Sequence, residues 1–118
     1  MSKTTAKDYR LFKDECRKWQ QRLGLMSWEL FFEHKDIEDR AQCEANGLAA
    51  RMACLRLATE WEDAWDNKLT TDAIKKLALH EMLELFFWET RDMLQEHYSE
   101  YAIEREIHRL IRTLENTL

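Results

Sequence analysis

A chain of 118 residues has room for one ordinary domain, so we predict a single domain over residues 1–118, without separate catalytic and binding parts. Apolar residues make up 45% of the chain and five residues are tryptophan, which is enough to build a core without disulfide or metal staples. The net charge of −5 argues against sequence-independent binding to nucleic acid, because that binding depends on Lys and Arg neutralising phosphates.

The three cysteines predict a reducing compartment. Cys16, Cys43 and Cys54 are odd in number and no two of them form Cys-x-x-Cys, so neither a disulfide framework nor a zinc ribbon is expected. We interpret each one as a small buried hydrophobe. The N-terminus lacks the apolar segment of a signal peptide, and the longest apolar run, at positions 85–88, is too short to span a bilayer. We therefore expect a cytoplasmic protein that has no membrane partner.

The N-terminal half of the chain predicts one helix followed by three strands. The helix begins near Thr4 or Thr5, whose hydroxyl can cap free amides, and Gly24 ends it. Its apolar residues recur at spacings of three and four: Tyr9, Phe12, Cys16, Trp19 and Leu23. The aromatic segment 28–34 predicts a strand, and segments 41–45 and 50–58 predict a hairpin that turns at Asn46-Gly47. We expect these strands to form a small antiparallel sheet.

The C-terminal half predicts two helices. Trp61 and Trp65 lie one helical turn apart and indicate a short helical connection. The next helix is expected over about 72–96, with Thr70, Thr71 and Asp72 as competing caps. The last helix carries one apolar stripe: Ile103, Ile107, Leu110, Ile111 and Leu114. The predicted fold class is therefore α+β, with an N-terminal helix, a three-stranded antiparallel sheet and two C-terminal helices.

The stretch His80-Glu81-Met82-Leu83-Glu84 is the only recognisable chemical motif in the chain. A metallopeptidase helix places two metal ligands four residues apart, because such positions are neighbours on one face, and a glutamate beside the first ligand acts as general base. His80 takes the first ligand position, Glu81 takes the base position, and Glu84 stands where a second histidine is expected. Glu104, near the start of the last helix, is the candidate third ligand.

Together with the segment 101–107, this motif resembles the minimal zincin-like metallopeptidases of bacteriophages and prophages. In that family a His-Glu-x-x-His helix is followed by a helix that supplies a glutamate, as in gluzincin-type peptidases. The resemblance extends from about residue 20 onward and includes the aromatic strand, the hairpin and the acidic tryptophan segment. It implies a zincin-like fold, zinc as cofactor, a protein or peptide as partner, His80 and Glu104 as ligands, and Glu81 as general base.

The glutamate at position 84 changes what such a site can do. One imidazole and two carboxylates leave a zinc ion with no net charge, which weakens its pull on water, and this oxygen-rich set suits Mn or Mg better. We therefore predict a metal-binding domain with weak or lost metallopeptidase activity. The alternative is a non-catalytic protein-binding module on the same scaffold, for example a phage inhibitor of a host protein.

The two candidate ligands on the last helix, Glu104 and His108, also have interpretations other than metal binding. Glu104 is also expected as a carboxylate that the helix dipole favours near an N-terminus. His108, four residues after Glu104, could chelate an ion together with it, or could be a surface histidine without a ligand role. His80, Glu81 and Glu84 could likewise form only a solvated helix face.

Overall fold

Helices and short strands share the chain in an α+β fold, which confirms the predicted class. A computed structural model describes residues 2–46, 50–62 and 68–118. In chain order the elements are β1 (Ser2–Lys3), α1 (Ala6–Arg22), β2 (Glu29–Lys35), β3 (Ala41–Asn46), β4 (Met52–Ala58), β5 (Glu60–Trp61), α2 (Thr71–Phe86), α3 (Trp88–Leu94) and α4 (Glu100–Thr117).

Helix α1 begins and ends where the sequence predicts. Thr5 caps it: its Oγ1 accepts a hydrogen bond from the Asp8 backbone N–H at 3.1 Å, and Asp8 Oδ2 accepts one from the Thr5 backbone N–H at 2.9 Å. Gly24 follows the helix with a φ of +72°, a left-handed conformation that glycine adopts without steric cost. The apolar stripe buries three side chains in the core, those of Phe12, Cys16 and Trp19.

Replacing Gly24 by alanine should lower the free energy of unfolding by about 1 kcal/mol. A methyl group at this position would meet no atom within 4 Å, so the cost comes from the positive φ and not from a clash. Chemical denaturation measures the difference, with Gln21→Ala in the last turn of α1 as the control. Equal stability of the two variants would contradict this conformational explanation.

The three longer strands form a mixed sheet, so the prediction of a wholly antiparallel sheet is wrong. The strand order is β2-β4-β3. Strands β3 and β4 run antiparallel, with Cys43 opposite Leu55, which confirms the hairpin, although positions 47–49 of its turn lie outside the described residues. Strands β2 and β4 run parallel, with Phe32 opposite Leu55. Alternation of apolar and polar residues identifies a strand but not the direction of its neighbour.

The helix predicted over 72–96 is interrupted at Phe87. Helix α2 ends at Phe86, and Phe87, with φ −95° and ψ 4°, separates it from α3. Of the three competing caps, Thr70 is the one used, because its Oγ1 accepts a hydrogen bond from the Ala73 backbone N–H at 3.1 Å. The break lies three residues after Glu84, the last residue of the motif.

The helical connection predicted at Trp61 and Trp65 is wrong at Trp61. Trp61 lies in the short strand β5, which pairs antiparallel with β1, and its side chain is buried. Trp65 lies outside the described residues. The first residues of the chain are thereby joined to the end of the sheet region.

Helix α2 lies at the centre of the core and packs against α1, β3, α3 and α4. The core includes Leu55 and Leu57 from the sheet, and from the helices Ile74, Met82, Leu83, Ile107 and Ile111. Cys16 belongs to this core, whereas Cys43 and Cys54 are only partly buried, and all three are free thiols. None of the helices in the described ranges is long and apolar enough to cross a membrane.

Candidate functional site

Helix α2 presents the motif to an open cleft of about 1070 Å³. The cleft is bounded by α2, by α4, and by the edge strand β3 with the turn before it. Its lining includes the titratable side chains Asp39, Glu44, His80, Glu81, Glu84, His108 and Glu115. The apolar face of α2 is buried in the core, so the polar face that carries the motif is the one that borders the cleft.

The imidazole of His80 lies between two carboxylates. Its Nδ1 is 3.2 Å from Oε2 of Glu115 on α4, and its Nε2 is 3.5 Å from Oε1 of Glu84, one turn further along α2. Because an ionised carboxylate accepts hydrogen bonds and cannot donate them, Glu115 favours the tautomer that carries the proton on Nδ1. The lone pair of Nε2 then faces Glu84.

The carboxylate of Glu84 divides its two oxygens between an arginine and two imidazoles. Oε2 lies 2.6 Å from Nη2 of Arg91. Oε1 lies 3.5 Å from Nε2 of His80 and 3.5 Å from Nε2 of His108. The side chains of Glu84 and Arg91 are 15% and 11% exposed, so this ion pair lies largely out of water. Arg91 therefore compensates the charge of a carboxylate that the sequence predicts to be a metal ligand.

Glu104 contacts the same arginine from α4. Its Oε1 lies 2.8 Å from Arg91 Nε, an ion pair without the geometry of a directed hydrogen bond, and its Oε2 lies 3.3 Å from Arg91 Nη2. Oε2 is also 3.9 Å from Nδ1 of His108. The third predicted ligand thus joins the cluster through Arg91 and His108.

The predicted general base, Glu81, is buried, with 7% of its surface exposed. Burial, followed by the charges of Glu84, Asp39 and Glu115, raises the pKa of Glu81 to about 8. In the metal-free protein a carboxyl group with this pKa is largely protonated at neutral pH. Glu81 then carries no charge beside His80.

Cys43 is the thiol that lines the cleft. Burial, together with the charge of the nearby Glu81, raises the pKa of the Cys43 thiol well above its usual range. A thiol must lose its proton to become a nucleophile or a good metal ligand. The thiol of Cys43 therefore stays protonated and uncharged where it lines the cleft at neutral pH.

Two residues of the cluster, Arg91 and Glu115, fall outside the motif and were not predicted. Glu104, His108 and Glu115 are separated by four and seven positions, a spacing that places them on one face of α4. Arg91 is seven positions after Glu84, a spacing that repeats a helix face only in the uninterrupted helix predicted over 72–96. These spacings indicate two polar stripes, but only the packing of α4 against α2 brings the stripes together.

The donors around Glu84 Oε1 fit zinc by type and by separation. Imidazole nitrogen and carboxylate oxygen are common zinc donors, and two donors bound about 2.1 Å from a tetrahedral ion lie about 3.4 Å apart. The two contacts of this oxygen with Nε2 of His80 and of His108 are each 3.5 Å, too long for a good hydrogen bond. As the side chains stand, no group of three His, Cys, Asp or Glu within 2–46, 50–62 and 68–118 has its donors placed for a metal ion. Binding therefore requires a side-chain rotation, which exposures of 35% for His80 and 48% for His108 permit.

The structure brings His80 and Glu84 side by side, as the helical spacing predicts, and places Glu81 behind them in the core. It pairs Glu104 with Arg91 at the edge of the same cluster. The roles of these residues as metal ligands and general base stay predictions. Comparisons with protein-family models, with curated proteins and with solved structures find no match to this chain.

Proposed function

We propose that this protein is a zincin-like metal-binding domain of phage or prophage type with weak or lost metallopeptidase activity. The observation that carries the proposal is the 3.5 Å separation of His80 Nε2 and Glu84 Oε1 beside an open cleft. Metal-binding histidines usually donate their other ring N–H to a carboxylate, and Glu115 is placed to accept it from His80. The types of the two donor atoms, their separation, and the carboxylate of Glu115 on the second ring nitrogen of His80 therefore all favour a divalent ion such as zinc.

The side chains around this position supply orientation and charge. An ion bound there would act as a Lewis acid toward a carbonyl oxygen. Glu115 orients the ring of His80, and Arg91 holds one oxygen of Glu84 so that the other remains directed at the imidazoles. Glu81, next to His80 in the chain, is the residue that would move a proton. The set of His80, Glu84 and Glu104 predicted from the sequence leaves little net charge to drive hydrolysis, and Glu81 is buried. We therefore propose weak activity.

The cleft suits an extended protein or peptide chain as its ligand. In the part of the chain that the structure describes, β3 pairs only with β4, and residues of β3 line the cleft. The backbone groups along such a strand edge can bind an extended peptide as an added strand. A peptide bound in this way would pass the polar face of α2 that carries the motif.

Protein purified without chelator should contain close to one equivalent of a divalent metal, and His80→Ala should contain almost none. The imidazole of His80 supplies the nitrogen donor of the proposed pair, so its removal leaves only oxygen. Elemental analysis measures the content, and His97→Ala, an exposed histidine away from the cleft lining, is the control. A wild-type protein that carries no metal and takes up no added zinc would remove the proposal.

Peptidase activity should be weak at most, and Glu81→Gln should lower it by about 100-fold or more, because proton transfer by a placed side chain typically contributes that much. Cleavage of quenched fluorescent peptides in the presence of zinc or manganese measures the rate. The variant should keep the metal content of the wild-type protein. Activity that survives in Glu81→Gln would have to arise from another group.

A non-catalytic protein-binding module is the second candidate function, and the position of Arg91 favours it. The guanidinium forms ion pairs with both Glu84 and Glu104, as would be expected of a site that has exchanged metal binding for structural duty. Near this cluster, α3 and the residues around it expose large apolar side chains: Phe86, Met93, Tyr98 and Tyr101. Such side chains are typical of contact surfaces.

Affinity capture from a host lysate tests the second candidate. A partner that binds through the exposed aromatic side chains should be retained by His80→Ala and lost by the double variant Tyr98→Ala/Tyr101→Ala. Both tyrosines are more than 60% exposed, so the double variant should fold normally. Capture of no partner by the wild-type protein would count against this function.

A further inference from the structure

We infer that His108, and not Glu104, is the metal ligand that α4 supplies, and that Glu104 positions the ring of His108. This inference rests on the proposed metal-binding function and assigns the third ligand of the same site. It replaces a set of one imidazole and two carboxylates with a set of two imidazoles and one carboxylate.

The first argument is the position of His108 relative to Glu84. Nε2 of His108 and Nε2 of His80 lie at the same distance, 3.5 Å, from the same oxygen, Oε1 of Glu84. This value matches the separation of two donors on a common tetrahedral ion, about 3.4 Å. One imidazole nitrogen from each of the two helices therefore lies at donor separation from Glu84 Oε1, and the side-chain rotation described above would bring these two nitrogens and the oxygen onto one ion.

The second argument is that both imidazoles repeat one arrangement. In His80, Nδ1 faces Glu115 and Nε2 faces Glu84. In His108, Nδ1 faces Glu104, at 3.9 Å, and Nε2 faces Glu84. Glu115 at 3.2 Å can accept a hydrogen bond from His80, whereas Glu104 at 3.9 Å has to move closer to accept one from His108. On either ring a carboxylate on the Nδ1 side leaves Nε2 as the nitrogen that binds a metal, as is usual for histidine ligands.

The third argument is that Glu104 is engaged elsewhere. Both of its oxygens contact Arg91, at 2.8 and 3.3 Å, so binding an ion would require it to give up a guanidinium that is nearly buried. Glu84 has no such conflict, since Arg91 holds its Oε2 and leaves Oε1 toward the imidazoles. Each of the three ligands then has one outer partner: Glu115 for His80, Arg91 for Glu84 and Glu104 for His108.

The exchange of ligand types has a chemical consequence. A divalent ion held by two neutral imidazoles and one carboxylate keeps one positive charge, whereas the set with Glu104 keeps none. Nitrogen-rich donors also favour zinc over the harder Mn and Mg ions. The glutamate at position 84 and the histidine at position 108 therefore compensate each other within the site.

Zinc affinity of chelator-stripped protein, measured by competition with a chromophoric chelator, separates the two candidate ligands. We expect His108→Ala to weaken zinc binding at least 100-fold. Glu104→Gln should weaken it by roughly 10-fold, as loss of an outer partner does, with partial recovery in Glu104→Asp. His97→Ala should bind as the wild-type protein does. Both positions are at least 40% exposed, so these variants should fold.

Cobalt absorption spectra add a readout of the ligands themselves. Glu104→Gln should keep the visible band positions of the wild-type cobalt protein, because its ligands are unchanged, whereas His108→Ala should shift them. New band positions in Glu104→Gln, or a loss of affinity equal to that of His108→Ala, would overturn the positioning role of Glu104.

The outcomes also separate this inference from the proposed function. If His80→Ala abolishes zinc binding while His108→Ala binds as the wild-type protein does, the assignment of His108 is overturned and the metal-binding function stands. If the wild-type protein binds neither zinc nor cobalt, both are overturned.

Discussion

The metal-free variant Arg91→Met should unfold with a free energy about 3 kcal/mol below that of the wild-type protein. The guanidinium of Arg91 is the cation beside two carboxylates, at 2.6 Å from Glu84 and 2.8 Å from Glu104. Methionine has a similar length but no charge, so the variant leaves Glu84, which is only 15% exposed, without its compensation. An unpaired charge in a largely buried position is among the most destabilising single changes.

Arg109→Met provides the matched control for this loss. Arg109 forms an ion pair with Glu106 on the same helix α4, but both side chains are more than half exposed. Exposed pairs contribute little, so this variant should stay within about 0.5 kcal/mol of the wild-type protein. Denaturation in the presence of chelator compares the three proteins. Equal stability of Arg91→Met and Arg109→Met would contradict a central role of Arg91 in the cluster.

The double variant Arg91→Met/Glu84→Gln separates charge compensation from packing. If the loss arises from the unpaired carboxylate, replacing Glu84 by the neutral glutamine should recover a large part of it. Added zinc should also stabilise Arg91→Met, because a bound ion supplies the positive charge that the variant lacks. If zinc stabilises neither the wild-type protein nor Arg91→Met, the result would instead favour the non-catalytic protein-binding module.

Glu81 should make the metal-free protein less stable as the pH rises from about 5 to 8. The pKa of Glu81 is raised from its ordinary value of 4.5 to about 8 in the folded protein, mainly by burial. In this window the folded protein holds a proton that the unfolded chain has already lost. Since the folded state binds more protons, the free energy of unfolding falls with rising pH, by up to about 1.4 kcal/mol per pH unit. Above the folded pKa the loss is complete and this contribution becomes constant.

The variant Glu81→Gln isolates this contribution, because glutamine keeps the shape and cannot ionise. The stability of the variant minus that of the wild-type protein should rise by on the order of 3 kcal/mol between pH 5 and pH 8 and then level off. Glu100→Gln, which removes an exposed carboxylate in the first turn of α4, is the control for the loss of one acidic side chain. Parallel pH profiles of Glu81→Gln and the wild-type protein would contradict the raised pKa of Glu81.

The local signals in the sequence predicted the helices and strands well because each signal acts within one or two turns. Thr5 and Thr70 cap free amides of the residues that follow them, and Gly24 adopts the left-handed conformation that ends α1. Apolar spacing identified the buried face of α1 and that of α4, and alternation together with Asn46-Gly47 identified the hairpin. These effects need no distant partner.

The elements that were wrongly predicted depend on partners far along the chain. The direction of β2 relative to β4 is decided by how the chain crosses the sheet, which the alternation within a strand does not encode. Trp61 has a helical spacing to Trp65, yet it is a strand residue because β1 pairs with it. The break at Phe87 likewise follows no glycine or proline signal, since the chain contains no proline and its two glycines lie elsewhere.

The sequence by itself determined that His80 and Glu84 lie side by side, because helical geometry makes residues four apart neighbours. It also determined the polar stripe of α4, for the same reason. Only the tertiary structure decided which members of that stripe meet the motif, namely His108 at Glu84 and Glu115 at His80. The packing of the apolar faces of α2 and α4 sets the angle and the offset between the two helices. The sequence of either helix alone does not determine these two quantities.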